Sequence, residues 1–441
     1  MNKTVFISSF HPFISRNILA TELLARLTGQ GIRVVLLVPE KKKNFFDEEF
    51  GSWREKGVAI ESFDTSLLWQ DRFLNYLALA ALSTRTLWLK RRTEMKGSGT
   101  FATYLLANPL GQLLTRALSR LLTPSETYAE AFKRYVPDAV FMTDINSLFD
   151  VRLYYDAHAR SIPVLGMVRS WDNLTAKGLM RVIPELLAVH SDTEKREART
   201  LHGVKEERIR VIGIPHYDRY VTGERMSRER FFDGLGISHH KRLVLFTPTG
   251  DRYLSQNTID KEITDLLDTE LPEDCHLLVR LPPTDKVASL ENYQGRRVTI
   301  ERPSTRFKTF KNIELAPGDE EHLADTLQWS DLVVTGPSTI CIDAAFFNKP
   351  VILIGFDGKH ERPYLSGLRR YYDYDHWKPI LESGGVWFAE TQEDFKKALD
   401  AYLKDASLHQ SGRERIVKDE AYNRDGKSAE RLVQVLMELI P

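Results

Sequence analysis

Residues 333–356, VVTGPSTICIDAAFFNKPVILIGF, spell a strand, a glycine turn, a helix and a second strand within 24 residues. Val333 and Val334 end a buried strand, and Gly336-Pro337 forces a turn. Ser338 and Thr339 then stand where an N-cap and a first helical turn belong. Free backbone N–H groups at a helix start, with the positive end of the helix dipole, favour an anion. The two hydroxyls would add donors to a phosphate. Asn348-Lys349-Pro350 stops the helix, and 351–356 is a second apolar strand. A unit of this kind belongs to a parallel α/β sheet, whose ligands gather at the C-terminal ends of strands. An ordinary strand–helix connection with a capped helix would satisfy the same pattern. The diphosphate reading draws its weight from residues elsewhere in the chain.

Working outward, strands alternate with helices twice over. The first series is 4–9, 32–39, 58–63, 139–144, 163–168, 185–191 and 209–215, with a helix expected over 18–27 and closed by Gly29 and Gly31. The second is 242–248, 275–283, 296–301, 332–336 and 350–356, with 385–389 as a sixth candidate. These runs are continuously apolar rather than alternating, as expected of parallel strands covered on both faces. The pattern predicts two successive doubly wound domains. Their expected bounds are 1–222, a charged and glycine-bearing linker 223–240, a second domain 241–420 and a closing helix 421–441.

Composition limits the classes available. A chain of 441 residues with 42% hydrophobic and 28% charged residues is an ordinary globular protein, large enough for two cores. The formal net charge of +0 gives no global case for nucleic acid, and none is expected as a partner. Two cysteines, Cys275 and Cys341, lie in apolar surroundings and suggest neither a disulfide framework nor a metal cluster. The opening MNKTVFISSF runs straight into a strand and lacks the apolar core of a signal peptide. A cytoplasmic protein is expected.

Residues 65–135 form a helical insertion larger than a crossover needs. Leu110, Leu113, Leu114, Ala117, Leu118 and Leu121 recur at helical spacing. Between Arg85 and Arg120 stand seven Lys/Arg (85, 90, 91, 92, 96, 116, 120) against Glu94 alone, a local net of +6. Trp88 beside Lys90-Arg91-Arg92 has the character of an interfacial anchor. Either these helices pack on the sheet behind a solvated basic face, or 85–120 docks on an anionic membrane surface. In the second case the protein is peripheral on the inner face of the plasma membrane.

Several loops carry polar chemistry. Thr249 and Gly250, in TPTGD after the first strand of the second series, would let backbone N–H groups approach a ligand. Arg280 ends an apolar strand, where a guanidinium suits an anion. In the first series, His11 leads into Arg16-Asn17 at the start of the first helix. SWDNLTAKG (170–178) follows the fifth strand, with Asp172 as the leading candidate for a carboxylate base and Asn173 and Thr175 beside it. An Asx-turn cap explains Asp172 equally well. His216 closes the last strand of the first series. No G-x-G-x-x-G, P-loop, G-x-S-x-G or H-E-x-x-H is present, which removes the usual support for dehydrogenase, kinase, hydrolase and zinc-peptidase readings.

WSDLVVTGPSTICIDAAFFNKPVILIGF resembles the donor-site region of the CDP-glycerol glycerophosphotransferase group and related bacterial surface-polysaccharide transferases. The tandem domains are similar to the GT-B architecture of nucleotide-sugar glycosyltransferases. RSWDNLTAKG resembles a loop of bacterial saccharide transferases. The tail DGKSAERLVQVL (425–436) is similar to the closing helix of the group, which crosses back to the first domain. That group also carries a strand-end arginine with a nearby His-Pro; here the residues are Arg280-Leu281-Pro282-Pro283, and the histidine is missing.

The resemblance implies a GT-B-like fold, with a helical insertion in the first of two Rossmann-like domains. It implies a metal-independent, cofactor-free transferase that moves a sugar, or alternatively a polyol phosphate, from a nucleotide-sugar or nucleotide-polyol donor. The acceptor would be a saccharide or a lipid-linked molecule of bacterial surface polysaccharide synthesis, such as capsule or O-antigen. Thr249, Gly250, Arg280, Pro337, Ser338 and Thr339 would bind the donor. Arg16, Asn17, Asn173, Thr175 and His216 would bind the acceptor, and Asp172 or His11 would activate its hydroxyl.

UDP-N-acetylglucosamine 2-epimerases share the architecture, and Glu361-Arg362-Pro363 echoes one of their motifs. Their glycine and acidic pairs at the diphosphate helix are replaced here by Pro337-Ser338-Thr339 and Cys341-Ile342-Asp343. A non-catalytic scaffold of a polysaccharide assembly complex is the third alternative. Nucleotide release separates the three.

Overall fold

A computed structural model describes residues 3–95, 100–252, 254, 257–283, 285–303, 314–316 and 318–440. The chain forms two compact units, Met1–Val221 with Asp425–Pro441, and Thr222–Arg424.

The first unit is built on seven parallel strands: β1 (Thr4–Ser8), β2 (Arg33–Pro39), β3 (Val58–Phe63), β4 (Ala139–Met142), β5 (Val164–Met167), β6 (Leu186–Val189) and β7 (Ile209–Val211). Their order is β3-β2-β1-β4-β5-β6-β7, so the winding reverses between β1 and β4. All five residues of β1 and all four of β4, β5 and β6 are buried, which is why these strands read as continuous apolar runs. Phe6, Val35, Val140, Leu187 and Val189 share one core cluster on this sheet.

The first helix departs from the expected 18–27. It is a π-type turn, Ser15–Leu19, followed by an α-helix, Leu23–Gly29. Between them Thr21 donates its hydroxyl to the Ile18 carbonyl at 2.6 Å and accepts from the Leu23 N–H at 3.3 Å. A side chain competing for backbone groups interrupts the helix there. The C-terminal helix, Ser428–Met437, belongs to this unit and packs against Leu23–Gly29. The Asp218 carboxylate accepts from the Ser428 and Ala429 N–H groups at 2.8 and 2.7 Å, anchoring that helix start.

Among its described residues the insertion forms five helices, Trp69–Ala80, Arg85–Thr93, Thr100–Leu106, Pro109–Leu122 and Ala129–Tyr135. One tie to the rest of the unit is a buried ion pair between Asp71 and Arg152, the latter on the helix Leu148–His158. Two cations of the expected basic face point inward instead. Arg91 donates to the Leu79 and Leu82 carbonyls, and Arg116 to those of Met180 and His202. Lys96 lies outside the described residues.

The second unit carries β8 (Arg242–Thr247), β9 (Cys275–Arg280), β10 (Val298–Glu301), β11 (Leu332–Thr335), β12 (Val351–Ile354) and β13 (Trp387–Ala389). All are parallel in the order β10-β9-β8-β11-β12-β13, and the winding reverses between β8 and β11. The segment expected as a linker contains a helix, Arg228–Leu235, in this unit. Ser227 caps its start by accepting from the Arg230 N–H, Phe231 and Phe232 are buried, and Gly236 ends it with a φ of 72°. Glycine takes that left-handed conformation without strain. Charge and glycine content, read as a linker, here mark an amphipathic helix and its cap. Cys275 and Cys341 are both free and buried.

Candidate active site

In the second unit the reversal between β8 and β11 brings two loops together. Thr247 Oγ1 donates to Thr335 Oγ1 at 2.7 Å, joining the two strand ends. Beyond them Thr249 lies on Gly336. A Cβ added at Gly336 would fall 2.2 Å from Thr249 Oγ1, so this position tolerates only glycine without movement. Thr249 Oγ1 is buried and has no hydrogen-bond partner among the described residues. A buried hydroxyl left unpaired is costly in a finished core and is informative in a cleft.

The loop after β8 is held differently from the sequence expectation. The backbone N–H groups of Thr249 and Gly250 donate to the two oxygens of Asp260 at 2.8 and 2.9 Å, rather than facing outward. Asn257 Nδ2 donates to the same carboxylate at 2.6 Å and to the Gly250 carbonyl at 3.1 Å. Burial raises the Asp260 pKa, opposed by these hydrogen bonds. Gly250 has a φ of 92°, and a Cβ there would meet the Asp285 carboxylate.

At the helix of the 333–356 stretch, Thr339 is the N-cap residue, with helical angles and no side-chain cap. The helix itself, Ile340–Phe346, has seven residues. The first N–H groups are engaged locally, Ile340 with Ser338 Oγ at 3.4 Å, Cys341 with the Ser338 carbonyl at 3.3 Å and Ile342 with the Thr339 carbonyl at 2.8 Å. These contacts engage the N–H groups of Ile340, Cys341 and Ile342, one to three positions after the Ser338-Thr339 pair. Half-buried Pro337 and Ser338 and the exposed Thr339 line the rim of the loop.

Arg280 is buried and already ion-paired. Its guanidinium donates to Glu301 at 2.6 Å and to both oxygens of Asp319 at 3.0 and 2.9 Å. Glu301 also receives His322 Nε2 at 2.8 Å. Two carboxylates balance the charge that was expected to meet a diphosphate. No local pattern points to these partners, which stand 21 and 39 positions away.

In the first unit the reversal lies between β1 and β4, and polar groups collect beyond it. His11 Nδ1 lies 2.5 Å from the Pro12 carbonyl. A carbonyl only accepts, so Nδ1 carries the proton and Nε2 is left as the acceptor. Burial and the nearby Arg169 lower the His11 pKa to about 4. Arg169 donates to Asp144 at 2.8 Å. Beneath them Ser8 donates to the buried Asp150, whose pKa is pushed up to about 7, mainly by burial and against the hydrogen bonds from Ser8 and Ser147.

A small pocket in this unit is lined by Asn17, Arg169, His190 and His216 over an apolar floor that includes Ile18 and Met167. Arg16 donates to Asn17 at 2.6 Å and lies close enough to His216 to lower its pKa, after burial. Asp172 precedes the short helix Asn173–Ala176 without capping it through its side chain. Its carboxylate acts on Lys177 by raising that ammonium's pKa against the larger effect of burial. Asn173 is fully buried with both side-chain polar atoms unpartnered. Thr175 Oγ1 donates to the Asp172 carbonyl at 3.2 Å. The structure thus gathers Asn17 and His216 at one pocket, with Arg16 bonded to Asn17 beside it, and places His11 near Arg169. Asp144, Asp150 and His190 were not singled out from sequence. Arg169 bore the same signature as Arg280, a cation just after an apolar strand.

Two doubly wound parallel units, each with polar groups at its winding reversal, define an α/β protein of the GT-B class. The model of the family CDP-Glycerol:Poly(glycerophosphate) glycerophosphotransferase matches residues 167–438, and the chain belongs to that family. Teichoic acid glycerol-phosphate primase of Bacillus subtilis (strain 168) is 25% identical over 175 residues, which span 40% of this chain and 40% of the relative. Among solved structures, a putative UDP-N-acetylglucosamine 2-epimerase from Listeria monocytogenes aligns with a TM-score of 0.57 at 12% identity, covering 99% of this chain and 96% of that one. A glycosyltransferase from Rickettsia africae ESF-5 gives 0.52 at 10% identity, covering 99% and 98%. At such identities these two likenesses concern the fold alone.

Proposed function

We propose that the protein transfers glycerol phosphate, or a closely related polyol phosphate, from a nucleotide-activated donor to a hydroxyl of a growing or lipid-linked surface polymer. Family membership favours this over the transfer of a sugar. The observation that carries a donor site is the buried, unpartnered Thr249 hydroxyl lying against Gly336 where β8 and β11 part. That is the place where α/β sheets bind ligands. In this reading Thr249 Oγ1 donates to a phosphate oxygen, while Pro337, Ser338 and Thr339 form the rim around it. Gly250 shapes the loop, and Arg280 acts through Glu301 and Asp319 rather than as a free cation.

The acceptor is assigned to the first unit, at Arg16, Asn17 and His216, with Asn173 and Thr175 in the neighbouring loop. His11 Nε2 or the Asp172 carboxylate takes the acceptor's proton as its oxygen bonds to the donor phosphorus and the nucleoside monophosphate departs. No metal is assigned to this step; fixed side chains and dipoles stabilise the leaving group. Attachment to an anionic membrane surface through the insertion belongs to the same reading.

A thermal-shift panel of CMP, CDP-glycerol, UDP and UDP-sugars tests it. Binding to the folded form raises the melting temperature by mass action. CDP-glycerol should stabilise most. Stabilisation by UDP-sugars alone would overturn the polyol-phosphate reading.

A further inference from the structure

The loop after β5, residues 170–178, is clamped from two sides. On one side Thr84 Oγ1 donates to the Thr175 carbonyl at 2.7 Å, and the Leu179 N–H donates to the Ala78 carbonyl at 2.8 Å. Gly178 has a φ of 86° and lies close against the helix Trp69–Ala80, where a Cβ would fall 2.8 Å from the Ala78 carbonyl carbon. On the other side stands His202, the last residue of the helix Asp192–His202. Its Nδ1 accepts from the Met180 N–H at 3.1 Å, so Nε2 carries the proton and donates to the Leu174 carbonyl at 2.9 Å. A segment held at both flanks has little freedom left to lose when its side chains meet a ligand.

Lys177 directly follows the short helix Asn173–Ala176 of this loop. Its side chain is exposed, yet the surrounding protein is the largest influence on the ammonium and lowers its pKa, with Lys90 and Arg169 adding to the effect. Together these observations place the group in an open hollow walled by protein. His11 in turn feels the charge of Lys177. The cations around this hollow differ in one respect. Arg169 is paired with Asp144 at 2.8 Å, and Lys90 with Glu94 at 3.8 Å. Among the described residues no ion pair or hydrogen bond engages the Lys177 ammonium, and Asp172 acts on it through space. An ammonium without a partner, set beside like charges, is unfavourable until an anion joins it. Asn173, in the same loop, is fully buried with both side-chain polar atoms unpartnered. The loop carries more polar capacity than the fold itself satisfies.

We propose that Lys177 selects a phosphorylated acceptor, its ammonium binding a phosphodiester of the acceptor beside the hydroxyl to be extended. The inference rests on the assignment of the acceptor to the first unit. Location favours it, because His11, Asp144 and Arg169 follow the C-terminal ends of β1, β4 and β5, the edge at which parallel sheets bind ligands. Chemistry favours it as well. A polyol-phosphate chain brings a negative charge with every unit, whereas a neutral saccharide with the same terminal hydroxyl leaves the ammonium unpaired. Lysine suits a flexible chain, since it acts as a point charge and does not demand the planar, two-point geometry of a guanidinium.

Titration calorimetry of the full chain with a glycerol-phosphate trimer, and with triglycerol as its uncharged counterpart, tests the site without any transfer step. Wild type should bind the phosphate trimer in preference to triglycerol. Lys177→Met should weaken trimer binding roughly tenfold, whereas Lys177→Arg should retain most of it. CMP affinity should be unchanged in both variants, and the melting temperature of Lys177→Met should not fall, because a cation without a partner is removed. Equal binding of trimer and triglycerol by the wild type, or wild-type trimer affinity in Lys177→Met, would overturn the proposal. Loss of CMP affinity in Lys177→Met would also overturn it and assign the residue to the donor. A wild type that binds the trimer through Lys177 but transfers nothing from CDP-glycerol would uphold the phosphate site and contradict the transferase reading instead.

Discussion

Thr249 Oγ1 and Gly336 are in such close approach that a single methyl group on Gly336 would displace the hydroxyl. That hydroxyl is buried and unpaired, so it costs stability in the free protein and is available to a ligand. Thr249→Val should therefore raise stability slightly, by about 0.5–1 kcal/mol, while weakening nucleotide binding by roughly tenfold. Chemical denaturation and calorimetric titration check the two signs. Loss of both together would make the threonine a packing residue.

The Asp260 carboxylate holds the same loop from beneath. Asp260→Asn replaces one acceptor with a donor facing the Thr249 or Gly250 N–H, and should cost about 1–3 kcal/mol. Donor affinity should fall with it, because the loop that presents Thr249 is released. Hydrogen exchange at Thr249 and Gly250 would rise in the variant if this reading holds.

Arg280 separates two accounts of the strand end. Paired with Glu301 and Asp319, it is expected to act on the fold first. Arg280→Met leaves the largely buried Asp319 without its guanidinium and Glu301 with His322 alone, and should destabilise by about 3 kcal/mol. An Arg280→Met protein of normal stability that fails to bind nucleotide would return the arginine to direct donor contact.

These outcomes bear on what the chain made legible. The inner strands β1, β4, β5, β6, β11 and β12 were readable because parallel strands buried on both faces are continuously apolar. The 333–356 stretch showed where β11 ends, but not that Asp260 had claimed the N–H groups expected to face a ligand. Partners such as Glu301 and Asp319 are joined to Arg280 by topology, which no local pattern encodes. The helix Pro109–Leu122 gives a sharper lesson. Its leucine spacing reported an apolar face correctly, yet periodicity says nothing about which face the rest of the protein covers. The helix break at Thr21 turned on one hydroxyl, below the resolution of a hydrophobic pattern.

A pH signature follows from Asp150. Its pKa, about 7 in the folded chain, is raised above its ordinary value, so folding is favoured by the protonated carboxyl. Its contribution is fully present below about pH 4 and is lost as pH rises toward 7. Asp150→Asn should remove that dependence. The difference in unfolding free energy between wild type and variant should change by on the order of 1–3 kcal/mol across pH 4–7. A difference independent of pH would place the titration elsewhere.

The most direct test of the transferase reading is nucleotide release from CDP-glycerol, followed with and without a lipid-linked polyol or saccharide acceptor. The protein should release CMP when acceptor is present, with glycerol phosphate appearing on the acceptor in equal amount, and Thr249→Val should slow this release. Absence of acceptor-dependent release, together with interconversion of free UDP-sugars, would contradict the account and return the fold to its epimerase-like alternative.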